Sequence, residues 1–403
     1  MLKLALRNVF RQKLRTGMTM AAIVLGVVAL ILSGGFVQDV YYQLGESLIH
    51  SQSGHVQVSR AGFQAHGTRS PEKFLIGGPD SVRQALVNRS EVDDVMARIN
   101  FSGLISNGRS NWPIVGEGVE PDKEAKLGTH FKVVEGRRLE KGDAYGVVVG
   151  DGVAQALKLR IGEHATLLLN TAEGALNSLE FEVVGTFQSF SKEYDSRAVR
   201  ISLAAAHELL GTQGVNSLVM ALKRTADTQK VTAAVASQLD NKQFEVRTWE
   251  QLNDFYASTV ALYERQFGVL QVIILVMVLL SVGNSVNMSA FERVGEFGTM
   301  MALGNRSGVV FRLVLTENVV LGLCGGGLGV ALGLIFAGTI SAVGIPMPPP
   351  PNANIGYIAH IRVLPSTVVE AFGVGLCATL LAALFPAWRV SRTAVVDALR
   401  QNV

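Results

Sequence analysis

The sequence predicts an α-helical membrane protein with four transmembrane helices and a large mixed α/β extracytoplasmic domain inserted between helices 1 and 2. Three observations predict it. Of 403 residues, 48% are hydrophobic and only 17% charged, against about 25% charged in an ordinary soluble domain. Four runs are apolar enough to cross a bilayer, which takes about 20 residues per helix. A polar stretch from about Asp39 to Gln266 separates the first run from the second.

Residues 1–15, MLKLALRNVFRQKLR, place Leu2, Leu6, Val9, Phe10 and Leu14 near one face of a helix, with the basic residues largely elsewhere. That pattern suits a cytoplasmic amphipathic helix in the inner interface; a basic flank that merely sets topology is the plainer reading. The first transmembrane helix follows over 16–38. Its apolar core is too long for a signal peptide, and no A-x-A site follows it. Lys3, Arg7, Arg11, Lys13 and Arg15 precede this run, and no Lys or Arg follows until Arg60. The positive-inside rule therefore puts the N-terminus in the cytoplasm and residues 39–266 outside it.

That outer region reads as α/β. ATLLLNT and LEFEVVGTF have strand patterns, and AYGVVVG is a short buried strand ending at Gly150. DGVAQALKL, VTAAVASQLD and SLAAAHELLG have helical spacing, the last with Ser202 as cap and Gly211 as stop. FEVRTW is a further strand. VYYQLGESLIH and TWEQLNDFYASTVALYERQ read as helical stalks that continue the neighbouring spans. No sharp internal boundary shows in this region; Gly and Ser punctuation around 102–118 is the one candidate division into two subdomains.

The second span covers 267–289, a cytoplasmic segment 290–308, and the third span 309–341. A periplasmic Pro-rich loop over 342–365 follows, with Pro346, Pro348, Pro349, Pro350 and Pro351 expected in extended polyproline form as a stiff spacer. The fourth span covers 366–386 and a cytoplasmic tail 387–403. No Lys or Arg lies between Arg312 and Arg362, as an outer loop requires, and Arg389, Arg392 and Arg400 mark the tail as cytoplasmic.

Several chemistries are excluded. No Gly-Lys dipeptide exists, so there is no phosphate-cradling G-x-x-x-x-G-K loop, and neither a G-x-S-x-G elbow nor an H-E-x-x-H helix occurs. His50, His55 and His66 fit no common metal spacing, and a net charge of +3 gives no reason to expect a nucleic-acid partner. Cys324 and Cys377 sit in apolar runs, which argues against a disulfide. The expectation is a chain with no catalytic residue, metal or bound cofactor of its own.

In the third span Gly325, Gly329 and Gly333 recur every fourth residue, as do Gly322 and Gly326; small residues at that spacing permit close helix approach, within the chain or across a dimer seam. Glu317 and Glu370 lie toward span ends and are expected at solvated interface positions, and no carboxylate sits mid-span as a proton-relay transporter needs.

The 290–308 segment, AFERVGEFGTMMALGNR, is short, charged and helix-ready. Glu292, Arg293, Glu296, Phe297, Gly298, Ala302, Leu303 and Gly304 match E-R-x-x-E-[IF]-G-x-x-[RM]-A-L-G, and the segment resembles that signature of the FtsX/MacB-type ABC transporter permeases. FPAWRVSRTAVVDALR, through Pro386, Ala387, Arg392, Val396, Asp397, Ala398, Leu399 and Arg400, resembles the family's C-terminal motif, with Val395 where proline is usual. The outer segment VVEGRRLEKGDAYGVVVGDGVAQALKLRIGEHATLLL is similar to the family's periplasmic domain. GIPMPPPPN and GHVQVSRAGF look closest to the lipoprotein-releasing LolC/LolE-like branch.

The resemblance implies a permease subunit of an ATP-driven transporter in a bacterial inner membrane. ATP and Mg would sit on a separate ABC ATPase subunit present in two copies. The second permease subunit would be an identical or paralogous chain, and membrane lipids and a periplasmic carrier or adaptor protein are further partners. Phe291, Glu292, Arg293, Glu296, Phe297, Met301 and Gly304 would form the coupling helix, with Phe291, Val294, Phe297 and Met301 seeking an apolar groove on the ATPase. Cargo would be a lipoprotein, lipid or other hydrophobic molecule extracted from the outer leaflet or periplasm. The alternatives are a signalling subunit that activates a periplasmic partner, an exporter of small molecules or peptides, and a scaffold without an ATPase.

Overall fold

The structure, a computed structural model, describes residues 7, 13–67, 70–128, 131–171, 173–189, 191–349 and 356–393. The amphipathic segment 1–12 apart from Arg7, Pro350, Pro351, and the tail positions Val395, Val396, Asp397, Ala398, Leu399 and Arg400 lie outside the described residues.

Four long helices are apolar enough to cross a membrane: α1 (Lys13–Leu48), α2 (Asp254–Glu292), α4 (Ser307–Val343) and α5 (Pro365–Ser391). The short α3 (Val294–Ala302) lies between α2 and α4. The chain divides into two compact units, and the divisions at Tyr41/Tyr42 and Thr259/Val260 fall inside α1 and α2. Most of these helices' residues make up one unit; residues 42–259 make up most of the other.

In the helix unit the core joins Ile23, Val27 and Ile31 of α1 to Val282 of α2, Val310 and Val314 of α4, and Ala378 and Ala383 of α5. The five glycines of α4 serve this packing. A Cβ on Gly325, Gly329 or Gly333 would come within 3.1, 2.8 and 2.9 Å of Ile23, Val27 and Ile31, while one on Gly322 or Gly326 would come within 2.9 Å of Leu376 or Phe372 of α5. Both glycine rows thus face this chain's own helices, so the dimer-seam option finds its surface already filled. Asp39, 1% exposed, accepts from the His360 N–H at 2.8 Å and faces Arg362.

The α/β unit is built on strands β1 (Val56–Arg60), β2 (Val92–Ser106), β3 (Asn111–Val119), β4 (Lys132–Gly136), β5 (Gly146–Gly150), β6 (His164–Asn170), β7 (Leu176–Gln188), β8 (Ala198–Ser202), β9 (Ser217–Leu222) and β10 (Phe244–Thr248). They form one sheet in the order β10-β1-β9-β2-β3-β8-β5-β7-β4, with β6 paired to β2 and β7. Ladders β3–β8 and β5–β7 are parallel and the other pairings antiparallel. Two of the apolar cores on this sheet divide strand β2 between them. Val95 and Ala97 of β2 belong to the one with Val58, Leu218 and Val235, whereas Ile99, Phe101 and Ile105 of the same strand belong to the one with Val149, Phe181 and Leu209. The candidate boundary at 102–118 is therefore corrected: those residues are the β2–β3 hairpin itself, running through the sheet. Gly103 and Gly116 mark close strand approach rather than a linker.

Local signals behaved as their chemistry requires. The Ser202 hydroxyl accepts from the Ala205 N–H at 3.2 Å and Gly211 ends that helix at φ 65°, satisfying backbone groups the helix leaves unpaired. The stalk before α2 is interrupted at Asn253 (φ −123°, ψ 85°), after a capping box in which Thr248 and Gln251 bond reciprocally. In the loop after α4, Pro346 lies in a three-residue strand, Ile345–Met347, of a two-stranded ladder. The expected polyproline form is thus corrected at Pro346 alone, which pairs in a ladder; Pro350 and Pro351 lie outside the described residues.

Candidate coupling sites

The segment 290–308 is not one helix. Phe291 and Glu292 end α2, Arg293 breaks the helix at φ −102° and ψ 9°, and α3 begins at Val294. Glu292 and Glu296 therefore belong to different helices, which corrects the expectation of a single coupling helix running from Phe291 to Gly304. Exposure sorts the segment: Val294 and Phe297 are buried, whereas Phe291, Glu292, Glu296 and Leu303 are exposed. Phe297, 1% exposed, packs into the helix-unit core with Met300 and Met301 alongside. Its expected role as an anchor for a partner's groove is overturned, because at helical spacing the apolar stripe faces the chain's own core.

Arg293 is the organiser. Its guanidinium donates to both carboxylate oxygens of Glu317 at 2.7 and 3.1 Å, and to Glu296 at 3.1 Å. It also lies 5.0 Å from the centre of the Phe297 ring. Glu317 is 7% exposed, so the expected solvated position near Arg312 is corrected: a buried carboxylate is held by a bidentate arginine, the strongest geometry available to it. Glu370 is exposed. Gly304 at φ 94° ends α3 with a paired turn, its N–H bonding Met301 and that of Asn305 bonding Met300, the Schellman arrangement. From α5, the Arg389 guanidinium lies 5.2 Å from the Phe291 ring and that of Arg392 lies 4.8 Å from Trp388. Pro386 is buried inside α5.

The α/β unit holds a second arginine-built joint that the sequence reading missed. Beyond Leu48 the chain continues through a π-helical turn, Ile49–Ser53, ending at Gly54 with φ 64°. Helix ends leave backbone carbonyls unpaired, and here side chains take them. Arg98 of β2 donates to the Gln52 carbonyl, Arg200 of β8 to that of Ser51 at 3.2 Å, Gln57 to that of Ser53 at 2.8 Å, and Ser53 to that of Leu48 at 3.2 Å.

Arg98 and Arg200 are 3% and 5% exposed, and burial of a charge demands a partner. Glu124 from the helix Pro121–Leu127 grips Arg98 through both oxygens, at 2.5 and 2.9 Å. Glu117 of β3 faces Arg200 at 2.9 Å, an ion pair whose alignment leaves Oε2 without a hydrogen bond. The arginines hold the Glu124 carboxyl below its ordinary range against the opposing pull of burial. Arg200 also stacks 4.7 Å from the centre of Phe131.

On the same turn His50 bonds the Leu127 carbonyl at 2.9 Å and pairs with Glu46 at 3.3 Å. The His50 and His55 rings meet edge to face at 5.8 Å, yet no three metal-ligating side chains gather among the described residues. Arg98 and Glu124 are 26 residues apart and Arg200 and Ser51 are 149 apart, so no local spacing could have revealed the joint. The available signal was charge inside strands of otherwise apolar pattern.

Comparison with known proteins agrees with this architecture. Residues 16–238 match the MacB-like periplasmic core domain family, and residues 268–395 match the FtsX-like permease C-terminal family. The chain is 23% identical to the ABC transporter permease MJ1507 of Methanocaldococcus jannaschii, covering 84% of each. It is 22% identical to the lipoprotein-releasing system transmembrane protein LolC of Xylella fastidiosa, covering 94% of this chain and 92% of that one. It is 25% identical to the macrolide export ATP-binding/permease protein MacB of Bdellovibrio bacteriovorus, covering 96% of this chain but only 59% of that longer one. Among solved structures, the periplasmic region of MacB from Actinobacillus actinomycetemcomitans matches 51% of the chain at 14% identity and a TM-score of 0.38.

Proposed function

The chain belongs to the MacB/FtsX family of ABC transporter permeases, and from that premise we propose that it is the transmembrane subunit of an inner-membrane transporter driven by a separate ATPase subunit. One observation carries the reading: Arg293 and Phe297 fasten α3 to the helix unit while Phe291, Glu292, Glu296 and Leu303 remain exposed. A docking helix needs this division, one face fixed to the permease and the other offered to a partner. The partner docks from the cytoplasm in two copies and binds ATP and Mg. The exposed apolar row of α2, which includes Val272, Ile273, Val276, Met277 and Leu280, meets lipid and a second permease subunit. Movement imposed at α3 reaches the extracytoplasmic domain through α1 and α2, helices whose residues run into both units. The cargo is a lipoprotein, lipid or other hydrophobic molecule, the class suggested by the lipoprotein-releasing and macrolide-export relatives.

The experiment is co-purification of the ATPase subunit with the detergent-extracted chain carrying Glu296→Lys and Leu303→Asp together. Like charges brought together at an interface cost several kcal/mol, so recovery should fall at least tenfold while the chain still inserts. Undiminished recovery and transport would show that α3 does not dock the ATPase.

A further inference from the structure

The face of the sheet that carries Arg98 and Glu117 also lines a solvent-open cavity of about 180 Å³. Strand register assembles its floor. Arg98 lies opposite Ser217 across β2 and β9, and Asn100 lies opposite Glu117 across β2 and β3. Alternate strand residues share a face, so Arg98, Asn100 and Ser102 line the cavity while Ile99 and Ile105 enter the core behind it. Gln52, from the capped turn at the end of α1, and Gln64 contribute to its walls.

The polar groups in this cavity are short of partners. Among the described residues the side chains of Gln52, Gln64, Asn100 and Ser102 have no hydrogen-bond partner in the chain. Glu117, 7% exposed, contributes the Oε2 that its ion pair leaves without a hydrogen bond. Gln64 and Ser102 are exposed and Gln52 and Asn100 half-buried, so these side chains bond water when the cavity is empty and are uncommitted within the chain, open to an occupant that replaces that water.

The chemistry narrows the occupant. Arg98 is spent on Glu124 and the Gln52 carbonyl, and Glu117 faces Arg200, so the cavity offers no uncompensated charge to an anion or a cation. What remains is carboxamides and hydroxyls, groups that both donate and accept. Their natural complement is a ligand whose own groups do both. The volume lies below the roughly 300–1,000 Å³ of drug-sized sites, which suits a small ring and not a large ligand.

We propose that this cavity is a binding site for a neutral, hydroxyl-rich ligand the size of one sugar ring. The inference goes beyond the permease reading and does not depend on it. Because Gln52 belongs to the turn that Arg98 and Arg200 hold, the ligand touches the joint at the end of α1 directly.

The test uses the full chain in lauryldimethylamine oxide, so that no glycosidic detergent competes, with glucose and N-acetylglucosamine as probes in saturation-transfer difference NMR. Saturable binding with a Kd of about 1 mM is expected. It should weaken at least tenfold in both Asn100→Leu and Gln52→Met, which remove hydrogen bonds at similar volume, and stay unchanged in Gln229→Met. Gln52→Met carries the test if Asn100→Leu does not fold. Absence of sugar binding, equal binding by the variants, or displacement of the sugar by tetra-alanine would overturn the proposal, the last by marking a peptide site. Recovery of the ATPase subunit from the same preparations reports on the permease reading separately.

Discussion

Two arginine-built joints can be compared within this chain, and they differ in how they handle charge. In the α/β unit, Arg98 and Arg200 are balanced by Glu117 and Glu124, all four under 10% exposed, and both arginines grip backbone carbonyls of the turn after α1. In the helix unit a single guanidinium, Arg293, divides its donors between buried Glu317 and exposed Glu296. The first joint is buried, with every charge paired inside the unit, and fixes a helix end in a sheet. The second is sealed on one side only and leaves its helix with a face to offer. A buried network is costly to break in part, whereas a half-exposed one can exchange partners, and that difference separates an anchor from a docking element.

The largest expected effect comes from breaking the anchor. Removing one member of a buried pair typically costs about 3–5 kcal/mol because the other charge is stranded. Arg98→Ala should therefore lower the thermal unfolding midpoint of the α/β unit by about 6–20 °C, at roughly 2–4 °C per kcal/mol for a unit of this size. Tryptophan fluorescence of the full chain reads this through Trp249, buried in the same unit. A shift below a couple of degrees would mean that Arg98 is not stranding Glu124, and the contrast between the joints would collapse.

Next comes the pH response of the same region. Burial, with His50 adding to it, pushes His55 down to about 4 from 6.5. Its Nδ1 accepts from the Leu222 N–H at 3.2 Å, so a proton there would face another donor. Thr225 lies 3.3 Å from Nε2, and Glu46, the one nearby charge favouring protonation, bonds the Thr225 hydroxyl. The folded pKa is below the unfolded one, so this contribution is complete above pH 6.5 and is lost as pH falls from 6.5 toward 4. At about 1.4 kcal/mol per pKa unit the whole effect is about 3 kcal/mol. The slope of unfolding midpoint against pH over that window should flatten in His55→Gln; an unchanged slope would remove His55 from the account.

The two joints also differ in how far the sequence reveals them. The four apolar runs, the helix caps at Ser202 and Gly211 and the strands 164–170 and 176–188 were legible because each rests on local periodicity or capping. Arg293, Glu296 and Gly304 were legible as a motif, but not the direction of Phe297: an aromatic beside charges reads as an anchor until the fold shows which face is covered. Glu317 was misplaced for the same reason, since its partner comes from another helix 24 residues away. The anchor was illegible throughout, its members lying on β2, β3, β8 and a helix that only sheet order brings together.

The docking joint gives a smaller expected effect. Hydrogen bonds to charged groups contribute about 1.5–3 kcal/mol, so Arg293→Met should destabilise the helix unit by about that much and release α3. In a double-mutant cycle, Arg293→Met with Glu317→Leu should cost less than the two single changes added together, since no charge is then stranded. ATPase recovery should fall in all three variants, because α3 is held by Arg293 in none of them. Additive stabilities would show that the bidentate contact contributes nothing.

The smallest effect sharpens the comparison by leaving both charge networks intact. Gly304 adopts φ 94°, a backbone region where a Cβ costs about 1–2 kcal/mol, and open space around its Cα means that no side chain would clash there. Gly304→Ala therefore isolates backbone strain at the turn that ends α3. Strain can be relieved only by loosening the Met301–Gly304 and Met300–Asn305 hydrogen bonds, which sets α3 at a different angle to α4 while Arg293 still holds Glu317. If docking needs only the exposed residues, ATPase recovery will be normal despite the strain. If it needs α3 in its fixed direction, recovery will fall several-fold although overall stability drops by no more than about 1–2 kcal/mol. Gly304→Asn is the matched control, because asparagine tolerates the left-handed region better than alanine; partial recovery with asparagine assigns the defect to backbone conformation, and no recovery assigns it to the added side chain.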